Sequence, residues 1–282
     1  MARTGRRIGF VDYRLDNYHA DVFLKILRKD LKKRGFEVAG CIALDEANGR
    51  AWAKKKRVPY YDSLGHLNDA VDYYMVLAPS NPELHLPLCR MVFPFGKPAY
   101  VDKTFAPDLK TARKIFALAG RYGTKIQTTS ALRYTNVQEY VRKVGREDVC
   151  HMAAWGGGRS FGEYAIHPVE LVVSCMGAQA TRLMRRGAGA QSQLLIDFSR
   201  GRTAVVNVYV GADTPFAASV TTDAGTRYLK VKDSQCFRDT AAAILDFFAS
   251  GRPGIDRRET LMIRRILDAA QDPRALKGFV RL

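Results

Sequence analysis

The chain lacks the long apolar segments of a membrane-spanning protein. None of its apolar runs approaches the roughly 18 residues that a helix needs to cross a bilayer. Hydrophobic residues nevertheless make up 47% of the 282 residues, a share typical of a globular protein with a sizeable core. A chain of this length indicates either two domains or one large domain.

Cysteine is scarce, and its spacing matches neither a disulfide framework nor a metal site. The five cysteines are odd in number and widely scattered, at Cys41, Cys89, Cys150, Cys175 and Cys236. Because each lies in an apolar segment, we predict buried free thiols and a reducing, cytoplasmic location. No structural or catalytic metal is expected.

Acidic residues are also few, with 28 Asp and Glu against 45 Lys and Arg, so the net charge is +17. A charge of this size raises the hypothesis of nucleic-acid binding. However, the densest basic clusters, residues 29–34 and 54–57, lie at the predicted ends of helices, where cations interact favourably with the helix dipole. No recognition-helix motif accompanies them. We therefore predict a solvated basic surface and no nucleic-acid site.

The first half of the sequence alternates strands with helices. Strands are predicted at residues 7–12, 36–44, 71–78, 98–101 and 125–130, and helices at 20–34, 46–56, 82–93 and 109–122. Such alternation implies a parallel sheet with right-handed crossovers. Residues 1–130 are therefore predicted to form a Rossmann-like α/β domain.

The pattern changes in the second half. Predicted elements are a helix at 137–144, a strand at 149–155, a flexible stretch at Gly156–Gly158, a helix at 162–176 and helices at 237–250 and 257–270. Runs of alternating apolar and polar residues between 180 and 231 are joined by turn residues, which indicates an antiparallel sheet. Residues 131–282 are predicted to form an α+β domain, whose last helices could pack back on the first domain.

Four motifs occur in order near the ends of these elements. They are Ala78–His85, Gly96–Thr104, Ser130–Tyr134 and Gly162–His167. Together they resemble the Gfo/Idh/MocA oxidoreductases, the family of glucose-fructose oxidoreductase and inositol dehydrogenase. Lys103 lies in a stretch similar to the family's Gly-Lys-x-Val-x-x-Glu-Lys-Pro, with Thr104 in place of the proline. Glu163 and His167 match its Asp-x-x-x-His signature, with Glu in place of Asp.

The resemblance implies an NAD(P)-dependent oxidoreductase, a homo-oligomer, acting on a sugar, cyclitol or similar small molecule. Hydride transfer from a carbinol requires a base for the hydroxyl proton and a cation for the developing alkoxide. His167 suits the first task and Lys103 the second, with Glu163 supporting His167. Substrate-binding candidates are Arg133 and Tyr164; cofactor-binding candidates are Arg14, Asn17, Tyr18, Asp45, Pro79, Ser80, Asn81 and Lys103.

Two of these positions leave alternatives open. Arg133 could contact an acidic or hydroxylated substrate, or pair with a charge at the domain junction. Glu163 lies four residues before His167 and would share its face in one helix. Because Pro168 disfavours a helical conformation at the residue before it, the helix could instead begin at Pro168 and leave His167 in the cap.

The first strand–helix turn lacks glycine altogether, whereas a phosphate-binding turn normally carries three. Within residues 11–20, Asp12, Arg14 and Asn17 occupy the three glycine positions. Side chains there block the approach of a pyrophosphate to the backbone, and Asp12 and Asp16 repel it. Arg14 and the helix N-terminus compensate in part.

The acidic residue expected to bind a ribose hydroxyl is displaced as well. It falls near Ala43, and the nearest carboxylate is that of Asp45. Two hypotheses follow from these departures. One is an oxidoreductase that binds NAD or NADP through a variant turn, and the other is a non-catalytic Rossmann-like binding or scaffold protein that has lost the dinucleotide.

Overall fold

The computed structural model describes residues 5–187, 189–232 and 235–282. They form two compact units, each assembled from separate stretches of the chain. The first unit comprises Met1–Thr129 and Phe237–Ile255, and the second comprises Ser130–Cys236 and Asp256–Leu282. No helix within the described ranges is both long and apolar enough to span a membrane.

A five-stranded parallel sheet forms the centre of the first unit. Its strands are β1 (Arg7–Asp12), β2 (Glu37–Ala43), β3 (Tyr73–Val76), β4 (Ala99–Val101) and β5 (Ile126–Gln127). They lie in the order β2-β1-β3-β4-β5, and their pairings are parallel. Strands β1, β3 and β4 are buried almost throughout, as expected for a parallel sheet. The predicted parallel α/β architecture is confirmed.

Helices follow the strands of this unit. They are α1 (Tyr18–Arg28), α2 (Glu46–Lys56), α3 (Leu64–Ala70), α4 (His85–Val92) and α5 (Leu109–Arg121). Three of them begin after a residue whose side chain accepts a hydrogen bond from a first-turn backbone N–H: Asn17, Asp45 and Asp108. Helix α3 was not predicted because only Leu67 is buried within it, which leaves no apolar repeat in the sequence.

Helix α1 ends earlier than predicted. A separate 3-10 helix, Lys32–Arg34, follows it and stops at Gly35, where φ is 73°. Glycine adopts this left-handed conformation without steric cost, so the chain reverses there into β2.

A seven-stranded sheet forms the centre of the second unit. Its strands are β6 (His151–Gly158), β7 (Ala180–Arg186), β8 (Gln191–Phe198), β9 (Thr203–Val210), β10 (Ala217–Thr222), β11 (Gly225–Lys230) and β12 (Val280–Arg281). Their order is β11-β10-β6-β9-β8-β7-β12, with β6 and β9 parallel and the other neighbours antiparallel. The predicted mostly antiparallel sheet is confirmed, although the short β12 was not predicted.

The remaining helices are α6 (Asn136–Val144), α7 (Phe161–Tyr164), α8 (Ile166–Met176), α9 (Cys236–Ser250) and α10 (Arg257–Gln271). Helix α9 from Phe237 onwards belongs to the first unit. Its Leu245 and Phe247 are buried in the same apolar core as Phe10 and Phe23. The core of the second unit is separate and contains residues of α8 and α10, including Val172 and Ile266.

Two local predictions were wrong. Gly156–Gly158 was expected to be flexible, but it is the end of strand β6. A Cβ atom added at Gly158 would collide with the ring of Tyr164, so glycine permits close packing here. Cys150 is exposed, with its Sγ 3.5 Å from the carboxylate of Asp223, whereas the other four thiols are free and buried as predicted.

Candidate functional site

Polar side chains collect where the strands of the first unit's sheet end. Asp12 is the last residue of β1, Pro79 follows β3, and Asp102 and Lys103 follow β4 directly. In open parallel sheets, ligands bind at the carboxyl ends of the strands. We therefore take this edge as the candidate site of the first unit.

Lys103 is held out of solvent at this edge. The residue is 7% exposed, and its Nζ donates a hydrogen bond of 3.1 Å to the carbonyl oxygen of Pro79. Its backbone N–H donates to Oδ1 of Asp102 over 2.8 Å. An ammonium carries three donors, of which Pro79 receives one. The side chain is therefore a positioned cationic donor, suited to stabilise negative charge on a nearby oxygen.

The segment after β3 is shaped to meet Lys103. Ala78 takes a left-handed φ of 55°, which is uncommon for alanine and turns the chain sharply before Pro79. The fully buried His85 supports this turn, since its Nε2 and Nδ1 lie 2.5 and 3.1 Å from the carbonyl oxygens of Leu77 and Phe105. Burial lowers the pKa of His85, although Asp102 and the carbonyl groups that the ring faces oppose the shift.

Ser80 and Asn81, the two other predicted cofactor contacts in this segment, differ in their exposure to solvent. Ser80 is exposed, whereas Asn81 is half-buried and its Nδ2 donates to Oε1 of Glu83 over 3.0 Å. Both residues follow the strand end closely, next to Pro79 and its contact with Lys103. Their role as cofactor contacts stays a prediction.

A histidine and a buried aspartate meet beside Lys103. Nδ1 of His19, in the first turn of α1, lies 2.6 Å from Oδ2 of Asp102. Asp102 is 1% exposed and also accepts a hydrogen bond of 3.1 Å from the hydroxyl of Tyr100. Burial alone would raise the pKa of Asp102, but His19 and Lys103 hold the pKa below its usual range. The pair thus fixes an ionised carboxylate under the Lys103 backbone.

Replacing His19 with alanine should destabilise the first unit. The change removes the ring that faces a buried carboxylate, so we expect a loss of about 2 kcal/mol in the free energy of unfolding. Urea denaturation would measure it. His66→Ala is the matched control because His66 is exposed on α3, and it should leave the midpoint unchanged. Equal midpoints for the two variants would contradict a structural role for the His19–Asp102 pair.

The glycine-free turn between β1 and α1 is closed by its own carboxylate. Oδ1 of Asp12 accepts hydrogen bonds from the backbone N–H groups of Tyr13 and Arg14, over 2.6 and 3.2 Å. Oδ2 accepts one of 2.9 Å from Nδ2 of Asn17. Asp12 is 1% exposed, and burial raises its pKa to about 6, although hydrogen bonds from Ala78, Asn17 and the turn backbone oppose the shift.

The other side of the turn is occupied as well. Oδ1 of Asn48, on α2, accepts hydrogen bonds from the N–H groups of Leu15 and Asp16 over 3.0 and 3.3 Å. Arg14 is half-exposed and contacts two carboxylates, Asp16 at 3.3 Å and Asp45 at 3.7 Å. Four successive backbone donors that could face a phosphate are therefore bound to side-chain oxygens.

Asn17 and Tyr18 mark the start of α1. The amide oxygen of Asn17 caps the helix by accepting from the N–H of Ala20 over 3.0 Å. Tyr18 is 66% exposed, and its ring lies edge-on to Phe237 at 5.4 Å between centroids. Cofactor contacts from Asn17 and Tyr18 stay predictions, and those from Asn17 would compete with its bonds inside the turn.

The second unit carries the predicted proton-transfer residues. Ser160 caps the short helix α7, on which Glu163 and Tyr164 lie, and His167 lies in the first turn of the next helix, α8. Helix α8 begins at Ile166 and not at Pro168, so His167 is helical. Its half-buried ring is flanked by the rings of Tyr164 and Phe216, with centroids 5.9 and 5.7 Å away.

Arg133 lies in a buried ionic cluster of the second unit. Its Nε donates to Glu170 over 2.7 Å, and its Nη1 donates to Glu259 over 2.6 Å. Arg146 binds the other oxygen of Glu259 at 2.6 Å. Among the described residues, Nη2 of Arg133 has no hydrogen-bond partner. Both carboxylates belong to the same unit as Arg133.

Sequence reasoning missed the contacts that organise the edge. Neither His19 nor Asn48 was among the candidate site residues. The available signal was topological: a histidine at a helix start and an aspartate at a strand end both belong at the carboxyl edge of one parallel sheet. Which helix residue would reach the first turn could not be read from the sequence.

The comparisons with known proteins agree on the fold. No protein-family model matches the chain, and no curated protein matches it. Among solved structures, it is similar to scyllo-inositol dehydrogenase from Lactobacillus casei, with 13% identity, a TM-score of 0.83 and coverage of 100% of this chain and 99% of that one. It is also similar to the UDP-N-acetylglucosamine 3-dehydrogenase GnnA from Acidithiobacillus ferrooxidans, with 14% identity, a TM-score of 0.77 and coverage of 96% and 97%.

A third similar structure is GenD2 from gentamicin A biosynthesis, solved in complex with NAD. It is 16% identical, has a TM-score of 0.78 and is matched over 99% of this chain and 96% of that one. Similarity at these identities shows a shared fold along nearly the whole chain. The fold that the Gfo/Idh/MocA resemblance implied is therefore confirmed.

The edge fits a nicotinamide dinucleotide unevenly. Lys103 and the Pro79–Asn81 segment provide a cation and polar groups at neighbouring strand ends. The turn at Asp12, by contrast, presents a carboxylate where a pyrophosphate would require hydrogen-bond donors. The two parts of the edge therefore differ in how well they suit a dinucleotide.

Proposed function

We propose that this protein is an oxidoreductase that transfers hydride between NAD or NADP and a sugar, cyclitol or related polyhydroxylated molecule. The observation that carries the proposal is the buried Lys103 at the end of β4, whose ammonium donates to Pro79 and whose backbone N–H donates to Asp102. Its setting supports the same conclusion, since the fold is shared with dehydrogenases of inositol and of a nucleotide sugar.

In this proposal, different residues stabilise the developing charge and transfer the proton. Lys103 would donate a hydrogen bond to the reacting oxygen and stabilise negative charge that develops there. His167 would exchange the hydroxyl proton at a ring nitrogen, with Glu163 supporting the ring. Tyr164 would bind substrate hydroxyls, and a contact from Arg133 would require its buried Nη2 to become accessible. The nicotinamide, when bound, supplies or accepts the hydride.

The cofactor would be held mainly at the strand ends. Pro79, Ser80, Asn81 and Lys103 would contact the nicotinamide side, and Arg14, Asn17 and Tyr18 the pyrophosphate. Asp45 would bind a ribose hydroxyl of NAD, whereas Arg14 beside it would suit the extra phosphate of NADP. Because Arg14 and Asp45 already contact each other at 3.7 Å, both choices are compatible with the charges present.

Direct titration tests this proposal. Addition of the purified protein to NADH and to NADPH should change the nicotinamide fluorescence, with saturation in the micromolar to millimolar range. Oxidation of a panel of inositols, hexoses and nucleotide sugars would then be followed by absorbance of the reduced nicotinamide. Absence of binding of both dinucleotides at millimolar concentration would refute the proposal.

One observation favours a second candidate, a non-catalytic binding or scaffold protein. The Asp12 carboxylate occupies backbone donors of the turn, as a protein without a dinucleotide would tolerate. Such a protein would have no use for a buried, positioned ammonium, and Lys103 favours the enzyme. Failure of the titration together with a correctly folded protein would favour this second candidate.

The setting of the protein can be proposed from two further observations. The buried free thiols support a reducing compartment, the cytoplasm. One row across the second unit's sheet presents partly exposed, uncharged side chains from neighbouring strands, including Met184, Leu195 and Val205. This row supports a homo-oligomer formed through the sheet face, and sedimentation would test it.

A further inference from the structure

We propose that Asp12 is an internal competitor of the cofactor, whose carboxylate occupies the backbone donors to which a pyrophosphate would bind. Dinucleotide binding then requires the Asp12 side chain to leave the turn. This inference rests on the proposed function for its natural ligand, although its central claim concerns only the anion-binding capacity of the turn.

The geometry around Asp12 is that of a bound anion. One oxygen receives the N–H groups of two successive residues, Tyr13 and Arg14, and the other receives the side-chain amide of Asn17. Successive backbone N–H groups that converge on one anionic oxygen also bind phosphate at the start of helices. Asp12 is therefore bonded to the turn as a ligand's phosphate would be.

The same geometry explains why the turn can dispense with glycine. Glycine lets a phosphate approach the backbone closely. Here the anion comes from within, at Asp12, and the two following residues carry side chains without obstructing it. The turn therefore needs no glycine because the Asp12 carboxylate, and not an external phosphate, binds its backbone N–H groups.

Removal of the carboxylate leaves a turn with donors and a cation. The N–H groups of Tyr13 and Arg14 would lose their acceptor, and the half-exposed Arg14 guanidinium lies in the same turn. Asn48 still holds the N–H groups of Leu15 and Asp16 from the other side and preserves the shape of the turn. We therefore expect the altered turn to bind phosphate groups that the natural turn rejects.

The test compares Asp12→Ala with Asp16→Ala. Both substitutions remove one negative charge from the same turn, but only Asp12 accepts hydrogen bonds from the N–H groups of Tyr13 and Arg14. Binding of NADH, NADPH and inorganic pyrophosphate would be measured by titration calorimetry. Asp12→Ala should bind all three at least about tenfold more tightly than the natural protein, since two charge-assisted hydrogen bonds become available. Asp16→Ala should change affinity by less than about threefold.

A conservative variant guards against a folding artefact. Asp12→Asn keeps the shape and one acceptor oxygen while removing the charge, and it should show a smaller gain of the same sign. Circular dichroism and thermal unfolding would establish that each variant is folded. If Asp12→Ala does not fold, a gain in Asp12→Asn over Asp16→Asn would support the inference, and equal affinities would overturn it.

The three probes separate the failure of this inference from that of the proposed function. Tighter pyrophosphate binding by Asp12→Ala, with no dinucleotide binding by any form, would support the internal competitor and refute the dehydrogenase. Dinucleotide binding that is unchanged or weakened in Asp12→Ala would overturn the inference and leave the dehydrogenase standing. Absence of any gain for pyrophosphate would also overturn the inference.

Discussion

Lys103→Met should lower kcat by roughly a hundredfold to a thousandfold, the effect of losing one positioned donor to a developing oxyanion. Methionine retains most of the length of the buried stem but removes the ammonium that contacts the Pro79 carbonyl. Steady-state kinetics with the substrate identified by the panel would measure the change. Because the lost charge acts mainly in the transition state, we expect KM to change much less than kcat.

Lys110→Met is the matched control for this prediction. Lys110 is exposed on α5 in the same unit, so its loss should leave kcat and KM unchanged. Lys103→Arg should retain part of the activity, since it preserves the charge but not the geometry of the ammonium. Full activity in Lys103→Met, together with a lowered melting temperature, would show that Lys103 only supports the Pro79 turn.

Glu170→Gln should strongly destabilise the second unit. Glu170 is 3% exposed and accepts hydrogen bonds of 2.7 Å from Nε of Arg133 and from the N–H of Ser130. Neutralising one partner leaves the Arg133 charge buried with less compensation, which costs about 3 kcal/mol. Scanning calorimetry would show a lower melting temperature, with any effect on the first unit distinguished by a separate transition.

Glu46→Gln provides the comparison. Glu46 pairs with Arg50 one helical turn away on α2, and both side chains are largely exposed. Exposed pairs of this kind are screened by solvent, so the melting temperature should not change measurably. Similar shifts for Glu170→Gln and Glu46→Gln would mean that the Arg133 cluster is less important for stability than its burial implies.

The fold followed from periodicity and order. Strand β1 and helix α2 were predicted with their observed bounds, because an apolar run and a capped helix each leave a clear local signal. Elements with little buried surface leave no such signal in the sequence. Helix α3 and strand β12 were therefore not predicted. Gly156–Gly158 was misjudged because the need for glycine at Gly158 comes from packing against the ring of Tyr164, which no local sequence pattern indicates.

The site was predictable only in part. Lys103 could be placed at a strand end from the sequence. Its hydrogen bond to Pro79, however, depends on the left-handed backbone conformation of Ala78, which the residue type alanine does not predict. The missing glycines indicated a variant turn, and the expectation that Asp12 repels a phosphate there stays a prediction. That Asp12 would bond to the turn itself, with Asn48 completing the closure, depends on packing between α2 and the first turn.

The return of helix α9 to the first unit has a consequence for biosynthesis. Residues 1–129 and 237–255 share one core, in which Phe247 of α9 lies with Phe10 of β1. During synthesis on the ribosome, part of the apolar surface of the amino-terminal sheet therefore stays uncovered until more than a hundred further residues, and then α9, have been made. Fragments that stop near residue 130 should be prone to aggregation, and nascent chains should depend on chaperones until α9 emerges.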